Sequence, residues 1–239
     1  MARSATLPRA AGVAALLVVV AACERGAART ADSADAKSAT TSTTVAAAAP
    51  AWNGDTLLGR ADAARIQGSP NATLWMVEIS DFQCPYCKRW HEESYATIKR
   101  EYVDTGRIRF AYLNLPLPNH KHAFHASSVA MCAGLQGRFW PLHDALFATQ
   151  DAWYRADSAT AAAQFDSLAA RAGANAAEVR RCVNAGTVAP LVRADYERAV
   201  QSGVSSTPTF FIGSRVIQGA APIAEFRSAL DSALAAGAR

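Results

Sequence analysis

The sequence has no apolar run of the roughly 18 residues that a membrane-spanning helix needs; its longest, Ala10 to Ala22, has thirteen. It also lacks an excess of either charge. Its 24 Lys and Arg against 20 Asp and Glu leave +4, or +2 once Arg3 and Arg9 of the first 22 residues are set aside, which implies no nucleic-acid partner. Cysteine is scarce, five in all, with one closely spaced pair, Cys84 and Cys87. Without a second such pair a tetrahedral zinc site is not completed, and Lys88 stands where covalent haem attachment needs histidine. His91 reads as a solvated helix residue and His120, His122 and His125 as the surface of a helix start, so no metal is expected. There are no internal repeats. Half the residues are apolar, enough for one domain with an ordinary core and an insertion.

What is present begins with an export signal. Ala10 to Ala22 follows two arginines and has the length of a signal-peptide core. It ends in Val20-Ala21-Ala22-Cys23, which resembles the lipobox of bacterial lipoproteins, in which the cysteine takes a diacylglycerol and becomes the mature N-terminus. Such an anchor holds a protein at a membrane surface without crossing it. Glu24 to Pro50 has Val45 as its only larger aliphatic residue and no aromatic, the composition of a disordered tether. The organisation expected is therefore a signal peptide over 1–22, a lipidated Cys23 with its tether over 23–51, and a folded domain over 52–239.

Within that domain the chain is organised around Asp81-Phe82-Gln83-Cys84-Pro85-Tyr86-Cys87. Leu74 to Ile79 before it reads as a buried strand. Pro85 suits a first helical turn, and Trp90, Tyr95, Ile98 and Tyr102 recur at helical spacing behind it. The cysteines thus fall at a strand-to-helix junction, where free N–H groups and the helix dipole favour a thiolate. Asp62 to Gly68 reads as a short helix or turn, and Arg107 to Leu113 as an alternating second strand. Leu115-Pro116-Leu117-Pro118 breaks regular structure. Helical patterns run from His122 to about Ser202, followed by a hairpin over Thr209 to Ile217 and a helix over Pro222 to Ala236.

That order resembles the DsbA-like branch of the thioredoxin superfamily. The resemblance runs from about Trp52 to Ala236 and is carried by Glu78 to Cys87, by Gly137-Arg138-Phe139-Trp140 with Leu142 to Phe147, and by Gly203-Val204 with Thr207 to Ile212. It implies an α/β thioredoxin-like fold with a helical domain, about 120–202, inserted between the second core strand and the cis-proline hairpin. It further implies that Cys84 is an exposed nucleophile of low pKa, Cys87 the resolving thiol, and Glu78 a buried carboxyl that takes its proton. Pro85, Tyr86, Thr207 and Pro208 would then meet the substrate, with Thr207-Pro208 as the cis-proline loop. Pro85-Tyr86 departs from the Pro-His of many DsbA oxidases and matches many glutaredoxins, which points to a milder oxidant.

Export puts the other cysteines where disulfides persist, and Cys132 and Cys182 are expected to form a structural bridge. The activity implied is oxidation of cysteine pairs in unfolded or partly folded exported proteins. It would use no cofactor beyond the Cys84–Cys87 disulfide and would need a membrane redox partner. The location implied is extracytoplasmic, on the periplasmic side in a Gram-negative cell, with the protein a lipid-anchored monomer. The alternatives are a reductase or isomerase fed by a membrane electron donor, an iron–sulfur-binding scaffold, and a redox-inert scaffold whose disulfide is permanent.

Overall fold

The computed structural model describes residues 56–237. The signal segment 1–22, Cys23, the tether 23–51 and the expected domain start at Trp52 lie outside the described residues. The first helix, α1 (Leu57–Ala64), is capped by Thr56, whose hydroxyl accepts from the Gly59 N–H at 3.0 Å.

Five strands form one sheet: β1 (Ile66–Gly68), β2 (Leu74–Ser80), β3 (Ile108–Asn114), β4 (Thr209–Ile212) and β5 (Arg215–Gln218), in the order β1-β3-β2-β4-β5. β2 lies parallel to β3, and the other pairs are antiparallel. β1 is where the sequence reading of a helix or turn over Asp62 to Gly68 needs correcting, since a strand follows α1 directly. Gly68 permits it. With φ +97° it takes a conformation open to glycine, and a Cβ there would stand 2.3 Å from the Ile108 carbonyl oxygen. β3 does not alternate as read. Five of its seven residues are buried, because helices cover both faces of the sheet.

Between β2 and β3 the chain enters α2 (Pro85–Trp90) and continues as helix through a π-turn (His91–Tyr95), a short α3 (Ala96–Ile98) and a second π-turn (Lys99–Val103). Trp90, Tyr95, Ile98 and Tyr102 all turn inward, against Met76, Phe110 and Phe210 of the sheet and Phe226 of the last helix, α10 (Ile223–Gly237). The opposite side is covered by the helical block α4 (Ala123–Gly134), α5 (Phe139–Ala148), α6 (Gln150–Trp153), α7 (Ser158–Arg171), α8 (Ala176–Asn184) and α9 (Ala189–Gln201). Its core gathers Met131, Leu142, Leu146, Trp153, Phe165 and Leu191 and reaches Phe82, Cys84, Cys87 and Tyr112. Asp157 and Asn175 cap α7 and α8 by accepting from Thr160 N and Glu178 N. A disulfide joins Cys132 of α4 to Cys182 of α8 across 50 residues of sequence. Among the described residues no helix is long and apolar enough to cross a membrane.

Candidate active site

Cys84 is the residue that caps the N-terminus of α2, and Pro85 fills the first helical position, where a missing N–H costs no hydrogen bond. Cys84 and Cys87 are both thiols here. The Cys84 pKa is lowered to about 6. The Cys87 thiol, as a hydrogen-bond donor, contributes most, with burial opposing; Thr207 and the Cys87 and Tyr86 N–H groups add to the lowering. Cys87 moves the other way. Complete burial raises it well above its ordinary value, and the negative charges of Cys84 and Glu78 add to the rise. One thiol of the pair is thus set to ionise and the other to hold its proton.

Cys84 is not exposed as expected: it is 4% accessible. The cover comes from the loop before β4, whose Thr207 carbonyl oxygen lies 3.4 Å from Cys84 Sγ. The Thr207–Pro208 peptide bond is cis. Pro85 and Tyr86 are exposed beside the thiol, and the Arg89 guanidinium stands 5.1 Å over the Tyr86 ring. The structure therefore brings the Thr207-Pro208 loop against Cys84, with Pro85 and Tyr86 exposed beside them and Cys87 and Glu78 fully buried.

Glu78 lies two residues after Met76 on the same face of β2, opposite Tyr112 and Phe210 in the neighbouring strands. It is fully buried. Burial raises its pKa to about 8, Ser80 opposing and the Cys84 charge adding to the rise. Near neutral pH it is mostly a protonated acid, able to give a proton to Cys87, and the carboxylate left behind can take that proton back.

Several contributors could not be seen in the sequence. Gln150 of α6 donates to the Phe82 and Cys84 carbonyls at 2.7 and 3.0 Å, so the inserted block holds the cysteine loop directly. Gln83 donates to the Tyr154 carbonyl at 3.0 Å and accepts from His122 N at 2.6 Å. The histidines read as surface groups are corrected for the same reason. His122 is buried with Nε2 2.9 Å from the Ala156 oxygen, His125 packs edge-on to Phe165, and His120 meets Asp81 at 2.7 Å. His91 is stacked on Tyr95, and its Nε2 lies 3.1 Å from Asp144 Oδ1. Asp144 also meets Nδ1 of the buried His143 at 2.8 Å, and burial lowers the His143 pKa to about 4. The ligand atoms of His91, His143 and Asp144 lie within 4.8 Å of one another, a closeness already explained by hydrogen bonding to the shared carboxylate.

Residues 60–232 match the family model described as thioredoxin. Among curated proteins, 175 residues are 34% identical to the Na(+)/H(+) antiporter NhaA 3 of Salinispora tropica, covering 73% of this chain and 25% of that protein. The chain thus spans about a quarter of the length of such relatives. Among solved structures, oxidised BdbD from Bacillus subtilis superposes with a TM-score of 0.65 at 21% identity, over 71% of this chain and 92% of that one. The alpha-DsbA1 of Wolbachia pipientis gives 0.63 at 21% identity, over 72% and 90%. The chain belongs to the thioredoxin family, with a block of helices inserted in its thioredoxin-like fold.

Proposed function

We propose that the protein is an extracytoplasmic thiol–disulfide oxidoreductase that oxidises cysteine pairs of exported proteins through Cys84 and Cys87, held at a membrane surface by a lipid on Cys23. The observation that carries this reading is the opposed tuning of the two thiols, Cys84 down to about 6 and Cys87 upward, beside the Thr207-Pro208 loop. In the oxidised enzyme a substrate thiolate attacks Cys84 Sγ and the Cys84–Cys87 bond breaks. Cys87 leaves with the electron pair and takes a proton from Glu78. The substrate's second thiolate then attacks its own sulfur in the mixed disulfide, and Cys84 leaves as a stable thiolate. The substrate dithiol loses two electrons and two protons. The enzyme gains the two electrons and one proton, the latter returning Glu78 to its acid form, and the other proton goes to solvent. Return to the disulfide requires a redox partner that accepts two electrons.

The test is the reduction potential of the pair in glutathione buffers. A Cys84 pKa between those of thioredoxin (about 7) and the strongest oxidants (about 3.5) leads to an expected potential on the order of −200 mV. A value at or below about −270 mV makes the protein a reductase and overturns the direction. No exchange with glutathione makes the pair a structural element and overturns the chemistry.

A further inference from the structure

Pro85 and Tyr86 bring no charge between the cysteines, but a histidine reaches the same loop from elsewhere in the chain. The irregular segment after β3 runs beside the loop after β2, and two of its groups bind one oxygen of Asp81. Leu117 N donates to Asp81 Oδ2 at 2.8 Å, and His120 Nδ1 lies 2.7 Å from it. The other oxygen, Oδ1, accepts from Gln83 N at 2.7 Å, and the Asp81 carbonyl accepts from Cys84 N at 3.0 Å. Asp81 is fully buried and joins His120 to the backbone that carries the reactive sulfur.

The electrostatic consequence follows from the sign of each group. A bare carboxylate three residues before Cys84 opposes a thiolate there, and burial strengthens the opposition. A protonated His120 neutralises that carboxylate and adds its own attraction to the sulfur. The hydrogen bond to Asp81 raises the His120 pKa most, partial burial opposes, and the charges of Asp81 and Cys84 add to the rise. The other charged groups around the hollow into which His120 opens are Lys121 beside it and Arg193 and Glu197 on α9, a positive balance. Cys84 is faced further by Cys87 and Glu78, both of which hold their protons at neutral pH.

We propose that His120 is a positioning residue which, protonated on Asp81, favours the Cys84 thiolate and so makes the Cys84–Cys87 pair more oxidising than its Pro-Tyr dipeptide alone would. This rests on thiol–disulfide exchange at that pair. When the disulfide accepts two electrons and one proton to become the Cys84 thiolate and the Cys87 thiol, new negative charge arises on Cys84. His120 stabilises that product and leaves the disulfide unaffected.

The decisive measurement uses the unaltered protein. The His120 imidazole is titrated by NMR in the disulfide form and again after chemical reduction. Because coupling is reciprocal, the factor by which the thiolate raises the proton affinity of His120 equals the factor by which the His120 proton favours the thiolate. A factor on the order of ten is expected, the raising of the His120 pKa by the Cys84 charge giving its direction. Identical titrations in the two forms overturn the proposal.

H120Q, which keeps a donor toward Asp81 but no charge, is expected to lower the Cys84 acid dissociation constant by a similar factor, read from thiolate absorbance. At neutral pH its glutathione equilibrium should shift about fivefold toward the less oxidising side. His120→Lys is expected to restore both, and an unchanged thiolate titration in H120Q counts against the proposal. If the pair fails to exchange with glutathione, the exchange reading falls while the His120 titration still decides the coupling.

Discussion

At the scale of single residues, the site is a set of groups held away from their ordinary protonation. Glu78 shows this most clearly, because its carboxyl is raised from 4.5 to about 8 by burial. The folded state therefore keeps a proton that the unfolded chain releases. The stability this group contributes is complete below about pH 4.5 and is lost as the pH rises through about 8. In the dithiol form Cys84 works in the opposite sense: its lowered pKa gives stability that is present above its ordinary 9.0 and lost as pH falls through about 6. The clean experiment uses the disulfide form, where neither of these cysteines titrates. E78Q is expected to flatten the fall in urea midpoint between pH 5 and pH 8, and to slow resolution of a mixed disulfide by Cys87 by roughly 10²-fold or more. A variant that keeps the wild-type pH slope and the wild-type resolution rate would show that Glu78 is a passive core residue. The cysteines and Glu78 were legible because they sit in one contiguous stretch. His91, His120 and His122 were misread because their ring partners Asp144, Asp81 and the Ala156 carbonyl are 53, 39 and 34 residues away.

At the scale of elements, the sequence patterns named most helices and strands, since hydrophobic spacing reports which face is buried. β1 escaped because three residues carry no periodicity, and its close approach to β3 depends on Gly68 alone. The π-turns after α2 also escaped, as Trp90, Tyr95 and Ile98 fit an α-helical reading equally well. The bridge between α4 and α8 makes the helical block testable on its own terms. Closing a loop of 50 residues stabilises by about 3–4 kcal/mol in the chain-entropy model. C132A/C182A is expected to lose about that much in denaturant unfolding while its Cys84 thiolate titration stays at about 6. A large change in that titration would mean that the bridge also sets the Gln150 contacts to the Cys84 loop.

At the scale of the whole molecule, the thioredoxin core and the inserted helices meet at the site, because the cysteine loop belongs to the first and Gln150 to the second. A buried charged network does part of this joining. Asp195 of α9, with no exposed surface, accepts from the Arg65 guanidinium just after α1, from the Asn114 side-chain amide at 2.9 Å and backbone N–H at 3.2 Å at the end of β3, and from Arg198 at 2.6 Å. Arg65 also pairs with Asp62 and is 2% exposed. None of this was legible, since a lone Arg and a lone Asp 130 residues apart carry no pattern. Removing Asp195 leaves the buried Arg65 with Asp62 as its remaining acidic partner, and breaking such a buried pair costs up to about 3–5 kcal/mol. D195N is therefore expected to lower stability by that amount in a urea titration. R65M with D195L, which removes both charges with side chains of similar shape, should recover part of the loss, the Asn114 donors being left without their acceptor. If the network joins the two parts, the loss in D195N appears with hydrogen exchange first opening at α9 and β3 and with the Cys84 thiolate disturbed. If D195N instead unfolds in a single step with an unaltered site, apolar packing alone couples the helical block to the sheet.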